Sequence, residues 1–110
     1  MPNFTLRRAE ARDSEELAGC IEAAYSVYAS RIDDLPAVGQ GVANAIEKHR
    51  VWVAETKHII GGLILILRDD FLLLENIAVR PECTGMGLGR ALIHQAERDC
   101  RELGLPEIRL

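Results

Sequence analysis

The chain carries no surplus of positive charge: 13 Lys and Arg against 17 Asp and Glu leave a formal net charge of −4. This balance argues against nucleic acid as the main partner, because phosphate backbones are met by net basic surfaces. It is compatible with a cationic substrate such as an amine. Long apolar runs are also missing. The longest, Ile59 to Leu67, contains two glycines and is too short to span a bilayer, so no membrane partner is expected. The opening Met1-Pro2-Asn3-Phe4 lacks the basic-then-apolar layout of a signal peptide, which makes a cytoplasmic location the default expectation. Cysteine is sparse: Cys20, Cys83 and Cys100 form an odd, widely spaced set that fits reduced thiols better than a disulfide framework. His49, His58 and His94 are scattered and no carboxylate or cysteine cluster has ligand spacing, so no metal site is expected.

What remains is an ordinary globular composition, 48% hydrophobic and 27% charged over 110 residues, enough for one domain spanning 1–110. Residues 4–7 read as a short opening strand. Asp13 with Glu16 forms a capping box for a first helix whose buried stripe is Leu17, Cys20, Ile21, Ala24 and Tyr28. Residues 31–36 break the pattern as a loop, and a second helix over 42–49 turns Val42, Ala45 and Ile46 inward. From Val51 the period changes to that of strands, over 51–55, 60–67 and 71–79, joined by short turns that predict an antiparallel meander. A last amphipathic helix starts near Gly87 with Leu88, Ala91, Leu92, Ala96, Cys100 and Leu103 on one face. Gly104 and Pro106 end it, and 106–110 begin another strand. The fold class is α/β (α+β), with one mixed, mostly antiparallel central sheet flanked by helices in the order β-α-α-β-β-β-α-β.

The most informative segment is Val79-Arg80-Pro81-Glu82-Cys83-Thr84-Gly85-Met86-Gly87-Leu88-Gly89-Arg90, which joins a strand to a helix through alternate glycines. Such a junction offers unpaired backbone N–H groups at a helix N-terminus, where the macrodipole favours an anion, most simply a phosphate. The bland alternative is a glycine-rich turn that lets the helix pack close to the sheet. An NTPase phosphate loop needs lysine and then serine or threonine after its last glycine, and here Arg90-Ala91 follow. A dinucleotide fingerprint needs glycine where Arg90 stands and should follow the first strand of a parallel unit. Neither fits.

Residues Leu74-Glu75-Asn76-Ile77-Ala78-Val79-Arg80-Pro81 and Thr84-Gly85-Met86-Gly87-Leu88-Gly89-Arg90-Ala91-Leu92 closely resemble the acetyl-CoA signature of the GNAT superfamily of N-acetyltransferases. That signature has the form Gln/Arg-x-x-Gly-x-Gly/Ala after a strand ending apolar-x-Val-x-Pro. Thr84 departs from it, standing where glutamine or arginine is usual. The element order matches too, so the resemblance covers nearly the whole chain. It implies that amides between Gly85 and Arg90 (Gly85, Met86, Gly87, Leu88, Gly89, Arg90) hold the diphosphate of acetyl-CoA, with Thr84 beside them. The pantetheine arm then pairs with Ile77, Ala78 and Val79. A bulge is expected near Glu75-Asn76, and the N–H of Ile77 is placed to polarise the thioester carbonyl.

Direct acetyl transfer to an amine needs a proton acceptor. Glu75 is the candidate, since it follows Phe71-Leu72-Leu73-Leu74 and is expected in poorly solvated surroundings; the alternative is a carboxylate paired across strands or facing solvent. Tyr25, Tyr28, Asp33, Asp34 and Asn76 are candidates for the acceptor site, with core packing the competing role for Tyr28, a solvated turn for Asp33-Asp34 and a structural role for Asn76. The acceptor is read as a small-molecule or peptide amine. Cys83 has no base near it in sequence and reads as a free thiol.

Members of the family continue beyond the fifth strand, and a leaving-group acid often comes from that tail, so the sequence is expected to be a partial domain. The last strand would leave an edge that invites association, for instance a homodimer. A non-catalytic acyl-CoA-binding module and a dimerisation module of the same fold are the competing functional readings.

Overall fold

A computed structural model of the protein describes residues 4–29 and 38–110, with the side chains of 26–29 and 38–40 left aside. Five strands form one sheet in the order β1-β2-β3-β4-β5: β1 (Thr5–Arg8), β2 (Arg50–Glu55), β3 (Ile59–Leu67), β4 (Leu72–Val79) and β5 (Ile108–Arg109). The first four pair antiparallel and β5 lies parallel to β4. The expected meander is therefore present, with β1 added at its open edge. Two helices, α1 (Ser14–Ala29) and α2 (Val38–Lys48), lie between β1 and β2, and α3 (Leu88–Glu102) connects β4 to β5.

Two apolar clusters form the core. Leu17, Cys20 and Ile21 of α1 and Val42 and Ala45 of α2 pack on Val51, Val53, Ile64 and Ala78. Leu88, Leu92, Ala96 and Cys100 of α3 pack on Ala54, Leu63, Leu65, Leu72 and Leu74. Because both faces of the sheet are covered, central β3 is buried from Ile59 to Ile66. A strand buried on both sides reads as a continuous apolar run rather than an alternating one, which is why 59–67 is so uniform.

Two glycines on β3 set how closely the helices approach. A Cβ at Gly61 would lie 2.9 Å from Leu88 Cδ2 and 3.0 Å from the Ala78 carbonyl oxygen, while one at Gly62 would collide with Leu17 Cδ1. The missing side chains thus seat the first residue of α3 on one face of the sheet and Leu17 of α1 on the other. Interruption of the apolar run by Gly61-Gly62 was the available signal for this.

The start of α1 differs from expectation. Residues Ala11–Asp13 form a 3-10 turn, and the reciprocal cap is Glu10 with Asp13, not Asp13 with Glu16. The Glu10 amide donates to Asp13 Oδ2 at 2.7 Å, and Arg7 donates to both carboxylate oxygens of Asp13 at 2.8 and 2.9 Å and to Glu55. With Asp13 so engaged, Glu16 turns to the sheet, where its Oε2 accepts the Ile59 N–H at 2.9 Å. The Arg7 guanidinium holds the carboxyls of Asp13 and Glu55 below the usual carboxylate range.

At its far end α3 closes as the sequence predicts. Gly104 has φ +69, and the amides of Gly104 and Leu105 donate to the carbonyls of Arg101 and Cys100, a Schellman arrangement. One feature of α3 departs from the simple amphipathic pattern: Asp99 is fully buried. It accepts Trp52 Nε1–H at 2.6 Å and Gln95 Nε2–H at 2.9 Å. Arg50 Nε also approaches Asp99 Oδ2 to 2.9 Å as an ion pair, off the line of a hydrogen bond. This buried carboxylate fixes α3 to β2 in orientation as well as by apolar contact.

Candidate acyl-CoA site at the β4–α3 junction

Register along β3 and β4 locates an irregularity. Ile64 is opposite Asn76 and Leu65 opposite Leu74, so Glu75 is the extra residue of a β-bulge. Because side chains alternate along a strand, one additional residue exchanges the faces. Before the bulge Leu72 and Leu74 point to the α3 side. After it Ile77 and Val79 take that side, and Ala78 packs towards α1. The bulge stands where the family resemblance implied it.

The bulge also decides the setting of Glu75, whose side chain is exposed. The poorly solvated surroundings expected for it are not found, since Leu72 and Leu74 turn into the core and do not enclose the carboxylate. Asn76 is half-buried, and its Oδ1 is buried without a hydrogen-bond partner among the described residues. On its other side, β4 pairs with β5 only at Leu72 and Leu73. From Leu74 to Val79 that edge carries no strand among the described residues. Since the side chains of Ile77, Ala78 and Val79 face the core, what they offer a ligand is backbone.

Beyond β4 the chain is pinned before it opens. The Arg80 amide donates to the Ile60 carbonyl at 2.8 Å and its Nε–H to the Ile59 carbonyl at 2.9 Å. Pro81–Cys83 form one 3-10 turn, in which the Cys83 amide donates to the Arg80 carbonyl at 2.9 Å. Thr84 closes that turn: its hydroxyl donates to the Pro81 carbonyl at 3.0 Å. The Thr84 hydroxyl proton is thus committed within the loop.

The next six residues are different. Gly85 and Gly87 have φ +90 and +78, conformations that residues with a Cβ rarely adopt. Gly87 is the N-cap of α3, and its carbonyl accepts the Ala91 amide at 3.0 Å. Among the described residues, the amides of Gly85, Met86, Gly87, Leu88, Gly89 and Arg90 donate to no protein acceptor. A Cβ built at Gly85, Gly87 or Gly89 meets nothing within 4 Å, so the space in front of these amides is open. All of these residues but Met86 border a cleft of about 520 Å³ running from Val79 and Cys83 to Arg90, with no acidic residue in its lining. Unpaired amides, a helix dipole and one arginine, free of carboxylates, make a site for an anion with more than one oxygen.

The other candidates are less concentrated. Tyr25 is 39% exposed on α1. Tyr28 lies in α1 with its side chain outside the description, and Asp33 and Asp34 lie outside the described residues. Cys83 is half-buried and also lines a second cleft with Glu16, His58 and Arg80, yet it makes no hydrogen bond to His58 among the described residues. Sequence distance had hidden that neighbourhood. Cys20 is a core residue, its thiol pushed up to about 11 by burial. Among the described residues no group of three or more His, Cys, Asp or Glu side chains is placed to hold a metal ion. No helix of the described residues is long and apolar enough to cross a membrane.

Comparison with known proteins agrees with this geometry. The Acetyltransferase (GNAT) family matches residues 24–110. No curated protein sequence matches the chain significantly. Among solved structures, PaiA N-acetyltransferase from Thermoplasma acidophilum in complex with coenzyme A superposes with a TM-score of 0.80 at 17% identity, covering 93% of this chain and 74% of its own. A GNAT family acetyltransferase from Brucella melitensis in complex with acetyl-CoA gives 0.78 at 19% identity, covering 98% and 75%. The ribosomal-protein-S18-alanine N-acetyltransferase from Escherichia coli gives 0.76 at 20% identity, covering 93% and 62%.

Proposed function

Since the chain belongs to the GNAT family of acetyltransferases, we propose that this acyltransferase moves the acetyl group of acetyl-CoA directly to an amine, with the diphosphate of the donor held by the amides of residues 85–90. The observation that carries the reading is the run of six consecutive backbone donors without acceptors among the described residues at the start of α3. The residues fit such a guest on three counts. Five of the six residues line an open cleft, no Cβ occupies the space at Gly85, Gly87 or Gly89, and no carboxylate lines the cleft to repel phosphate.

From that anchor the pantetheine arm runs along the unpaired edge of β4 at Ile77, Ala78 and Val79, accepting and donating hydrogen bonds as an added strand would. Acetyl-CoA supplies the activated carbonyl. As the neutral amine nitrogen bonds to that carbon, negative charge develops on the carbonyl oxygen, where the Ile77 N–H lies within the same segment; collapse re-forms the carbonyl, the carbon–sulfur bond breaks with its electron pair going to sulfur, and the proton shed by the new amide nitrogen balances the one the thiolate takes up to leave as a thiol. The ammonium form of the acceptor must lose a proton. Glu75, turned out of the ladder by the bulge, takes it directly or through water, because an exposed carboxylate at the open edge of β4 is accessible to both. Asn76 presents a buried acceptor oxygen with no partner among the described residues, suited to orienting the N–H groups of the amine.

Turnover is followed by release of the coenzyme A thiol with a panel of primary amines that includes alanine peptides, alanine being the residue in one structural relative's name. Glu75→Gln is expected to lower kcat roughly 100-fold, with acetyl-CoA affinity changed less than about twofold. Unchanged kcat would remove Glu75 from the proton-accepting role.

A further inference from the structure

Where β4 ends, its neighbour β3 is irregular. Ala54 is opposite Gly61 and Glu55 opposite Ile59, which leaves Ile60 as an extra residue in β3. A bulge interrupts the regular ladder, and here two side chains take up the backbone of Ile59. Glu16 from α1 accepts its N–H at 2.9 Å, and Arg80 donates Nε–H to its carbonyl at 2.9 Å. The Arg80 amide donates to the next carbonyl, that of Ile60, at 2.8 Å. One residue therefore grips two successive carbonyls of β3, with its main chain and with its side chain. The guanidinium lies beside α1, where a Cβ at Gly19 would stand 3.9 Å from Arg80 Nη2.

Arg80 is also where the glycine loop begins. Its carbonyl accepts the Cys83 amide at 2.9 Å to close the 3-10 turn, and the free amides follow directly after Thr84. Its side chain does not line the cleft before those amides; it borders the neighbouring one, with Glu16 and His58. Arg80 is thus no wall of the site and acts on a guest through the backbone it holds. We propose that Arg80 is a positioning residue for acyl-donor binding: its Nε–H fixes the loop to the bulge of β3, so that the amides of residues 85–90 keep a set place relative to the open edge of β4. The proposal rests on the reading that those amides hold the diphosphate. A cradle fixed before its guest arrives loses less freedom on binding. Because the Ile59 acceptor is a neutral carbonyl, the donor at the ε position is what matters, and the charge is incidental.

Three replacements separate the donor from the charge. Glutamine carries an N–H as many bonds from the backbone as arginine Nε, without the charge; methionine has the length without a donor; lysine keeps the charge and sets its nitrogen one bond further out. The whole chain is titrated calorimetrically with acetyl-CoA, at a temperature well below the unfolding of each variant. Binding is expected to weaken about tenfold in Arg80→Met and in Arg80→Lys, and to stay within about threefold of the unmodified protein in Arg80→Gln. Without ligand, the amide resonances of residues 85–90 should be displaced in Arg80→Met and return towards their original places in Arg80→Gln. Unchanged affinity and unchanged loop resonances in Arg80→Met, with thermal stability alone lowered, would overturn the proposal and leave the diphosphate cradle standing. Normal binding in Arg80→Lys with loss in Arg80→Gln would overturn it as well, because the charge would then be what counts. Failure of the unmodified protein to bind acetyl-CoA would overturn both readings.

Discussion

Replacing Gly87 separates the conformational role of the loop from its role as a ligand cradle. Gly87 caps α3 in the left-handed region at φ +78, and a Cβ there meets no protein atom within 4 Å. Gly87→Ala therefore costs backbone strain alone, about 1–2 kcal/mol, without a packing clash. In a domain of this size each kcal/mol moves Tm by about 4–8 °C, so a visible but tolerable loss is expected. The effect on ligand binding is of another order, because the new methyl projects into the open space before the amides. Losing two charge-assisted hydrogen bonds to the diphosphate at about 1.5 kcal/mol or more each weakens acetyl-CoA binding at least ~100-fold. Gly87→Asn sharpens the comparison. Asparagine tolerates the left-handed region and is a favoured N-cap, so it should recover most of the stability while binding stays lost. The assay is calorimetric titration with acetyl-CoA alongside thermal unfolding for both variants. Wild-type affinity in Gly87→Asn would refute the claim that the diphosphate approaches this face of the loop.

Further tests address the scaffold. Gly61→Ala should destabilise the fold by about 1–3 kcal/mol and weaken acetyl-CoA binding with it, since the methyl drives against Leu88 and the Ala78 carbonyl; urea unfolding that is unchanged would show that Gly61 does not seat α3. Asp99→Ala leaves Trp52 Nε1–H and the Arg50 guanidinium without their buried partner, and a loss of about 2–4 kcal/mol in urea unfolding is expected. Acid should weaken the protein through Asp13, whose carboxyl is held below its ordinary value by Arg7. The sign follows from linkage: that contribution is complete above the unfolded-state value near pH ~4 and disappears as pH falls through the lower folded-state value. Urea midpoints measured from neutral pH downwards should fall less steeply in Asp13→Asn than in the native chain; parallel curves would contradict this.

Much of the architecture was legible because chain period and punctuation agree. The change from helical to strand spacing at Val51, the glycine-marked start and end of α3 and the short turns between β2, β3 and β4 each record a local constraint. The open backbone of the loop was legible for the same reason, since alternate glycines before an amphipathic helix mark a turn in the left-handed region, as found at Gly85 and Gly87. What escaped notice depends on contacts distant in sequence. Asp99 reads as a solvent-facing charge until Trp52 and Arg50 are brought across from β2. Asp13 and Glu16 have the spacing of a capping box, yet Arg7 and the Glu10 amide claim Asp13 first. The apolar run before Glu75 gave a misleading picture of its solvation, because alternation and the bulge send the leucines inward and the carboxylate out.

The most direct test of the account is an amide-resolved NMR titration of the isotopically labelled chain with acetyl-CoA. The N–H resonances of residues 85–90 are expected to move most, with large downfield shifts as they acquire phosphate acceptors, followed by those of β4 from Ile77 to Val79. Saturable binding that leaves the six loop amides in place and perturbs another surface would contradict it.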